Sequence, residues 1–300
     1  MTTFSDTLLY PVKRKLSIYE KENVPTTKGR AFVMPGLPGT SSRDRTEVEE
    51  LITRGYYGSD IIAIEKENTI ALALYEHYHD DIQVHRGSAR EHLQNTRNKF
   101  SYVHLDFCTE LKEEETNTIF STIGKLDAIS RLRVTVCDTR RAGSNRGAGG
   151  YGKEVRLNVL LPFLEHCQTL DEQHRDRWND IVENVVRSED PIQLIGMVFL
   201  FAHFFGITFD DFYADCISAR QNLFPSISPF MVIKNWSAWA YKEPTGSYNM
   251  ASTWIDLYQI PDLLIADQQW KIDYVFNYVK DSISQIHSYN ALLQAEGEYS

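Results

Sequence analysis

The sequence predicts an α/β fold, a mainly parallel seven-stranded sheet with an antiparallel C-terminal hairpin and a helical insertion. Three observations predict it. Short apolar runs alternate with helix-like stretches from Arg30 to Asp138, the pattern of parallel strands joined by right-handed crossovers. Ala31-Phe-Val-Met34 breaks at Gly36 and Gly39, and the next apolar run, Ile61 to Ile64, ends on a carboxylate, Glu65; together they build a nucleoside pocket in an open sheet. Near the other end, Met231 to Tyr241 and Tyr248 to Leu257 are rich in aromatic and β-branched residues and flank Lys242-Glu-Pro-Thr-Gly-Ser247, a hairpin signature.

Length and charge set the bounds. A chain of 300 residues suffices for one large α/β domain or two smaller ones. Its net charge of -10 argues against a surface that binds nucleic acid or an anionic membrane as a whole, because neutralising phosphates requires a basic face. The four cysteines, Cys108, Cys137, Cys167 and Cys216, are far apart and lack metal-ligand spacing, so they read as reduced thiols and no metal site is expected. Met1 to Lys15 has no apolar signal core, which predicts a cytoplasmic protein. The longest apolar stretch, Ile192 to Ile207, is interrupted and too short to span a bilayer, so no membrane association is expected.

Residues 1–29 read as an N-terminal arm ending in the Pro25-Thr-Thr-Lys-Gly29 turn. The unit 30–141 follows. Ala31 to Met34 is its first strand, and Thr40 or Ser41 caps a helix through Arg54 whose first turns carry Glu47, Glu49 and Glu50, anions favoured by the helix dipole. Ile61 to Ile64 is the second strand and Asn68 to Tyr78 an amphipathic helix. A third strand begins at Ile82 to Val84 and ends at Gly87-Ser88-Ala89, before a helix from Arg90 to Asn98. Phe100 to Leu105 is the fourth strand, ending in Asp106-Phe107. Glu113 to Ile123 is helical, and Arg131 to Cys137 is a fifth strand ending in Asp138.

Between 142 and 225 the period changes. Five glycines among small and basic residues make Ala142 to Gly152 a loop. Leu157 to Cys167, Asp171 to Val186, Asp190 to Phe205 and Phe209 to Leu223 then read as helices of an insertion. The segment 226–300 supplies the hairpin and a closing helix over Gln268 to Gln294, with Trp270, Tyr274, Tyr278 and Ile286 near helical spacing.

Five βα-type units closed by an antiparallel hairpin resemble the class I S-adenosylmethionine-dependent methyltransferases, whose Rossmann-like sheet carries a reversed seventh strand paired to the sixth. The resemblance covers Arg30 to Asp138 and Met231 to Leu257, and it implies S-adenosylmethionine as the cofactor. By the family pattern Gly36 and Gly39 would line its methionine part, Glu65 would accept from the ribose hydroxyls, and Ser88 and Ala89 would contact adenine. Asp106 and Phe107 would face the methionine end and the acceptor. Asp106 would orient or deprotonate the acceptor, with Asp138 as a second candidate at the next strand tip.

Two function classes stay open. One is methyl transfer to nucleic acid or another macromolecule, with Arg140, Arg141, Arg146, Lys153 and Arg156 of the Gly-rich loop placed to meet phosphates. The other is an inactive methyltransferase-like scaffold, motivated by Pro35, Pro38 and Ser88, which depart from the family's glycine and adenine motifs; its protein partner would meet the helical insertion. A nicotinamide oxidoreductase is disfavoured because Gly36-Leu-Pro-Gly39 lacks the required glycine spacing. His104 and His203 read as core histidines, His77 and His79 as helix-end residues, and Trp236, Trp239, Tyr241, Tyr248 and Trp254 as sheet core rather than a base-stacking platform.

Overall fold

The structure is a computed structural model that describes residues 29–35, 47–107, 109, 113–138, 161–187, 231–242, 249–259, 269, 273, 276–277 and 286–288. Its centre is one sheet of strands β1 (Ala31–Val33), β2 (Ile61–Glu65), β3 (Gln83–Arg86), β4 (Phe100–Asp106), β5 (Leu126–Asp138), β6 (Met231–Lys242), β7 (Asn249–Gln259) and β8 (Ile286–Ser288). They lie in the order β3-β2-β1-β4-β5-β7-β6-β8. The first five pair in parallel, while β7 runs antiparallel to both neighbours, β5 and β6. A reversed strand next to the sixth is the arrangement that the resemblance implied, and the chain therefore has a class I methyltransferase fold.

Among the described residues six helices of defined extent accompany the sheet: α1 (Glu47–Thr53), α2 (Asn68–Tyr78), α3 (Ala89–Asn95), α4 (Glu113–Ile123), α5 (Leu161–Leu170) and α6 (Arg175–Arg187). Every residue of β1 and β4 is buried, as expected of parallel strands covered on both faces. Ala31, Val33, Ile61 and Tyr102 share one face and pack in a single cluster with Val48 and Leu51 of α1 and Leu74 and Tyr78 of α2. On the opposite face the Phe32 ring meets His92 of α3 at 5.7 Å and Phe100 at 5.5 Å. Between α1 and β2 the chain approaches itself so closely that a Cβ on Gly58 would lie 2.1 Å from the Asp81 carbonyl oxygen, so only glycine fits there.

The register of the long antiparallel pair is fixed by buried polar groups. Arg131 of β5 lies opposite Asp256 of β7 and grips its carboxylate with Nε at 2.5 Å and Nη2 at 2.8 Å. Both side chains are almost wholly buried. A one-residue slip would move each to the other face of the sheet, leaving a desolvated charge without its counterpart.

Several expectations change, and the fifth strand, expected over Arg131 to Cys137, starts earlier at Leu126. An eighth strand extends the sheet beyond the seven expected, and it lies inside the stretch read as a closing helix over Gln268 to Gln294. Residues 269, 273, 276 and 277 are helical, but Ile286–Ser288 pairs in parallel with Ala238–Ala240 of β6. An exposed strand edge offers unpaired backbone groups, and three residues that follow no turn signal satisfy them. The helix after β3 also stops at Asn95, short of Asn98, where the Thr96 hydroxyl accepts the Asn98 N–H at 3.2 Å.

Within the insertion α5 and α6 are joined by one 3-10 turn, Glu172–His174. Asp171 holds the corner together: it accepts from Trp178 Nε1 at 2.8 Å, His174 Nδ1 at 2.9 Å and Arg177 Nε at 2.7 Å. Burial raises its pKa, but those bonds and the Arg177 charge outweigh burial and hold it below the usual carboxylate range. Arg177 also reaches Asp273 at 2.7 Å and covers the Phe276 ring, which ties α6 to the segment before β8. The N-terminal arm, the Gly-rich loop and the helices expected over Asp190 to Phe205 and Phe209 to Leu223 lie outside the described residues. No described helix is long and apolar enough to cross a membrane.

Candidate functional site

Parallel strands end together, and their carboxyl edge is where an open α/β sheet leaves a crevice. Here that edge forms a cavity of about 300 Å3. Pro35 follows β1, Glu65 ends β2, Ser88 and Ala89 begin α3, and Asp106 and Phe107 end β4; all six line it. Glu65, Ser88, Ala89, Asp106 and Phe107 were expected at a nucleoside site from sequence, and folding brings the five to one cavity. Pro35 belongs to the wall as well.

Each tip is held in place. Glu65 Oε1 accepts the Glu67 N–H at 2.8 Å, and the Glu65 carbonyl accepts the Gly87 N–H at 3.0 Å, which locks the end of β2 to the turn after β3. Gly87 has φ +150°, a conformation that L side chains rarely adopt. Burial raises the Glu65 pKa; the Glu67 and Lys66 N–H groups pull it back, and the charges of Glu67 and Asp106 push it further up. A ligand that brings hydroxyl donors or positive charge would relieve that strain.

The loop after β4 is laced to β5. Phe107 N–H donates to the Thr135 carbonyl at 3.0 Å, and Cys137 N–H to the Thr109 carbonyl at 2.9 Å. Thr109 Oγ1 donates to Glu115 Oε1 at 3.0 Å, so α4 closes this side, where Thr109, Glu115 and Thr118 join the lining. Sequence reading missed these three. The signal was weak: Glu115 and Thr118 share a helix face at i, i+3, but nothing local shows that the face meets the tip of β4.

Asp138 ends β5 opposite Asn249, beyond the last pairing of β4 with β5 at Thr135; its side chain lies outside those described. Gly36, Gly39 and the loop residues Arg140, Arg141, Arg146, Lys153 and Arg156 also lie outside the described residues. Trp239, Tyr241 and Trp254 are buried together, so they are core. His104 is core too, bonded to Glu47 and Thr135. Among the described residues no group of three His, Cys, Asp or Glu could hold a metal ion.

No family model matches the sequence, and no curated protein does. Solved structures of similar shape include a putative methyltransferase, yhhF, from Escherichia coli, 16% identical over 45% of this chain and 73% of that one, with a TM-score of 0.32. TYW2 from M. jannaschii in complex with AdoMet is 9% identical over 81% of this chain and 76% of that one, with a TM-score of 0.37. TrmN from Thermus thermophilus is 10% identical over 83% and 49%, also at 0.37. Likenesses this distant add nothing to the strand order, and the site stands on its own side chains.

Proposed function

We propose that the protein is an S-adenosylmethionine-dependent methyltransferase acting on nucleic acid or another macromolecule. The observation that carries this reading is the convergence of Glu65, Ser88, Ala89, Asp106 and Phe107 on one cavity at the carboxyl edge of a sheet with a reversed β7. The residues fit the cofactor. At about 300 Å3 the cavity is at the lower end of small-molecule sites, and the carboxylates of Glu65 and Asp106 suit a ligand with ribose hydroxyls at one end and a sulfonium at the other.

S-adenosylmethionine supplies an electrophilic methyl group, so the chain has little covalent chemistry to perform. Its work is alignment and exclusion of water. Glu65 would accept from the ribose diol, and Ser88 and Ala89 would hold the adenine. Asp106 is 8% exposed and faces the acceptor, which it orients or relieves of a proton. Phe107, braced by the Thr135 carbonyl, walls the acceptor side against water. Asp138 is a second candidate for the proton.

Isothermal titration with S-adenosylmethionine and with its demethylated product tests the reading. Binding of both is expected, with loss of methyl transfer and retained cofactor affinity in Asp106→Ala. Absence of binding by well-folded protein would remove the reading and leave an inactive methyltransferase-like scaffold.

A further inference from the structure

Beside the cavity lies a second, wider cleft of about 950 Å3. Lys66, Gly87, Ser88, Arg90 and Glu114 line both, so the two adjoin along a shared wall. The cleft alone adds Arg86, from the tip of β3, with Glu91 and Gln94 from the outer side of α3. Among the described residues its charged lining is three cations, Lys66, Arg86 and Arg90, against two anions, Glu91 and Glu114. That balance is positive, while the whole chain stands at -10.

The three cations differ in availability. Lys66 lies 3.7 Å from Glu114, an exposed pair worth little that a stronger anion displaces. Among the described residues neither Arg86 nor Arg90 has a carboxylate at ion-pair distance. Each comes from a different element: the turn after β2, the end of β3 and the first turn of α3. Cations carried on three separate elements can meet successive phosphates of one strand.

We propose that this cleft holds the phosphodiester backbone of a single-stranded nucleic acid and guides it past the mouth of the cofactor cavity. The proposal rests on the methyltransferase reading for its purpose, and it narrows the acceptor to a polynucleotide. A cleft admits a flexible single strand, whereas a rigid duplex would rest on its rim. Among the described residues no aromatic side chain lines it, so those residues contact phosphates and read no base sequence. With two or three phosphates neutralised, the slope of log affinity against log salt is about -1.4 to -2.1 for a single strand.

Fluorescence anisotropy with labelled RNA and DNA single strands, roughly 12 nucleotides long, tests this. Binding at low salt is expected, weakening roughly tenfold between 50 and 200 mM salt. Arg86→Gln is expected to weaken it and to flatten the salt slope by about 0.7. Arg86 lines only the cleft, so S-adenosylmethionine affinity should be unchanged in this variant. Arg90→Gln provides a second loss of slope should Arg86→Gln fold poorly. Absence of strand binding by the wild type, or folded variants with the wild-type affinity and slope, would overturn the proposal. The two readings fail separately. Strand binding without cofactor binding leaves the cleft and removes the methyltransferase, and the reverse removes the cleft alone.

Discussion

His104 Nδ1 donates to Glu47 Oε2 across 2.7 Å, with the side chains 2% and 7% exposed. The bond joins the first turn of α1 to the middle of β4, two residues before Asp106. Tyr102 donates to the other Glu47 oxygen at 2.9 Å, and His104 Nε2 lies 3.1 Å from Thr135 Oγ1. Thr135 meets Ser252 at 3.0 Å, and Ser252 accepts from Arg133 Nε at 3.0 Å. A carboxylate only accepts and a guanidinium only donates. Donation therefore leaves the network's guanidinium end at Arg133 and enters its carboxylate end at Glu47, with Ser252, Thr135 and His104 linked between them.

Because that chain is buried, removing its acceptor end strands two donors. Glu47→Ala is expected to lower folding stability by about 3 kcal/mol, and Glu47→Gln, which keeps one acceptor, by less. Urea unfolding midpoints measure both. A loss under about 1 kcal/mol in the alanine variant would mean that the network is not closed as described.

Glu65 gives two readouts of opposite sign. A carboxyl whose folded pKa is raised binds protons more tightly folded than unfolded, so its contribution to stability falls as pH rises through the folded pKa. Glu65→Gln should therefore be more stable than the wild type at neutral pH. It should also bind S-adenosylmethionine about tenfold or more weakly, through loss of charge-assisted hydrogen bonds worth roughly 1.5–3 kcal/mol. Thermal melts and titration calorimetry at pH 7 read the two effects. A variant that loses stability together with affinity would contradict this account.

His92 sets an acid limit. Burial lowers its pKa, and the neighbouring His85, with ring centroids 4.7 Å apart, lowers it further. A base whose folded pKa is depressed gives stability that is present above the unfolded value, about 6.5, and is lost as pH falls toward the folded one. His92→Phe keeps the ring against Phe32 and should flatten the fall of the melting temperature as pH drops below about 6.5. Circular dichroism melts across that range would show it. An unchanged slope would place the acid sensitivity elsewhere.

Much of the scaffold was legible before any coordinates. The helix Asn68–Tyr78 and the two strands of the 231–259 hairpin follow from periodicity and turn residues, which are local signals. Glu65, Ser88, Ala89, Asp106 and Phe107 were legible for a related reason: a residue at the tip of a parallel strand reaches the carboxyl edge whatever the strand order. β8 was not legible, since a three-residue strand in a helix-like stretch exists only because β6 presents an edge to it.

The sequence by itself determined the alternation of strands and helices, the reversed C-terminal hairpin and the identity of the strand tips. Each depends on a few neighbouring residues meeting solvent or core. Only the tertiary structure decided which polar groups share an interior. Glu47 and His104 are 57 residues apart, and Arg131 and Asp256 are 125 apart. The cation cleft likewise joins residues from three elements. Strand order and register bring such groups together, and no local pattern records how far a side chain will travel before it meets its partner.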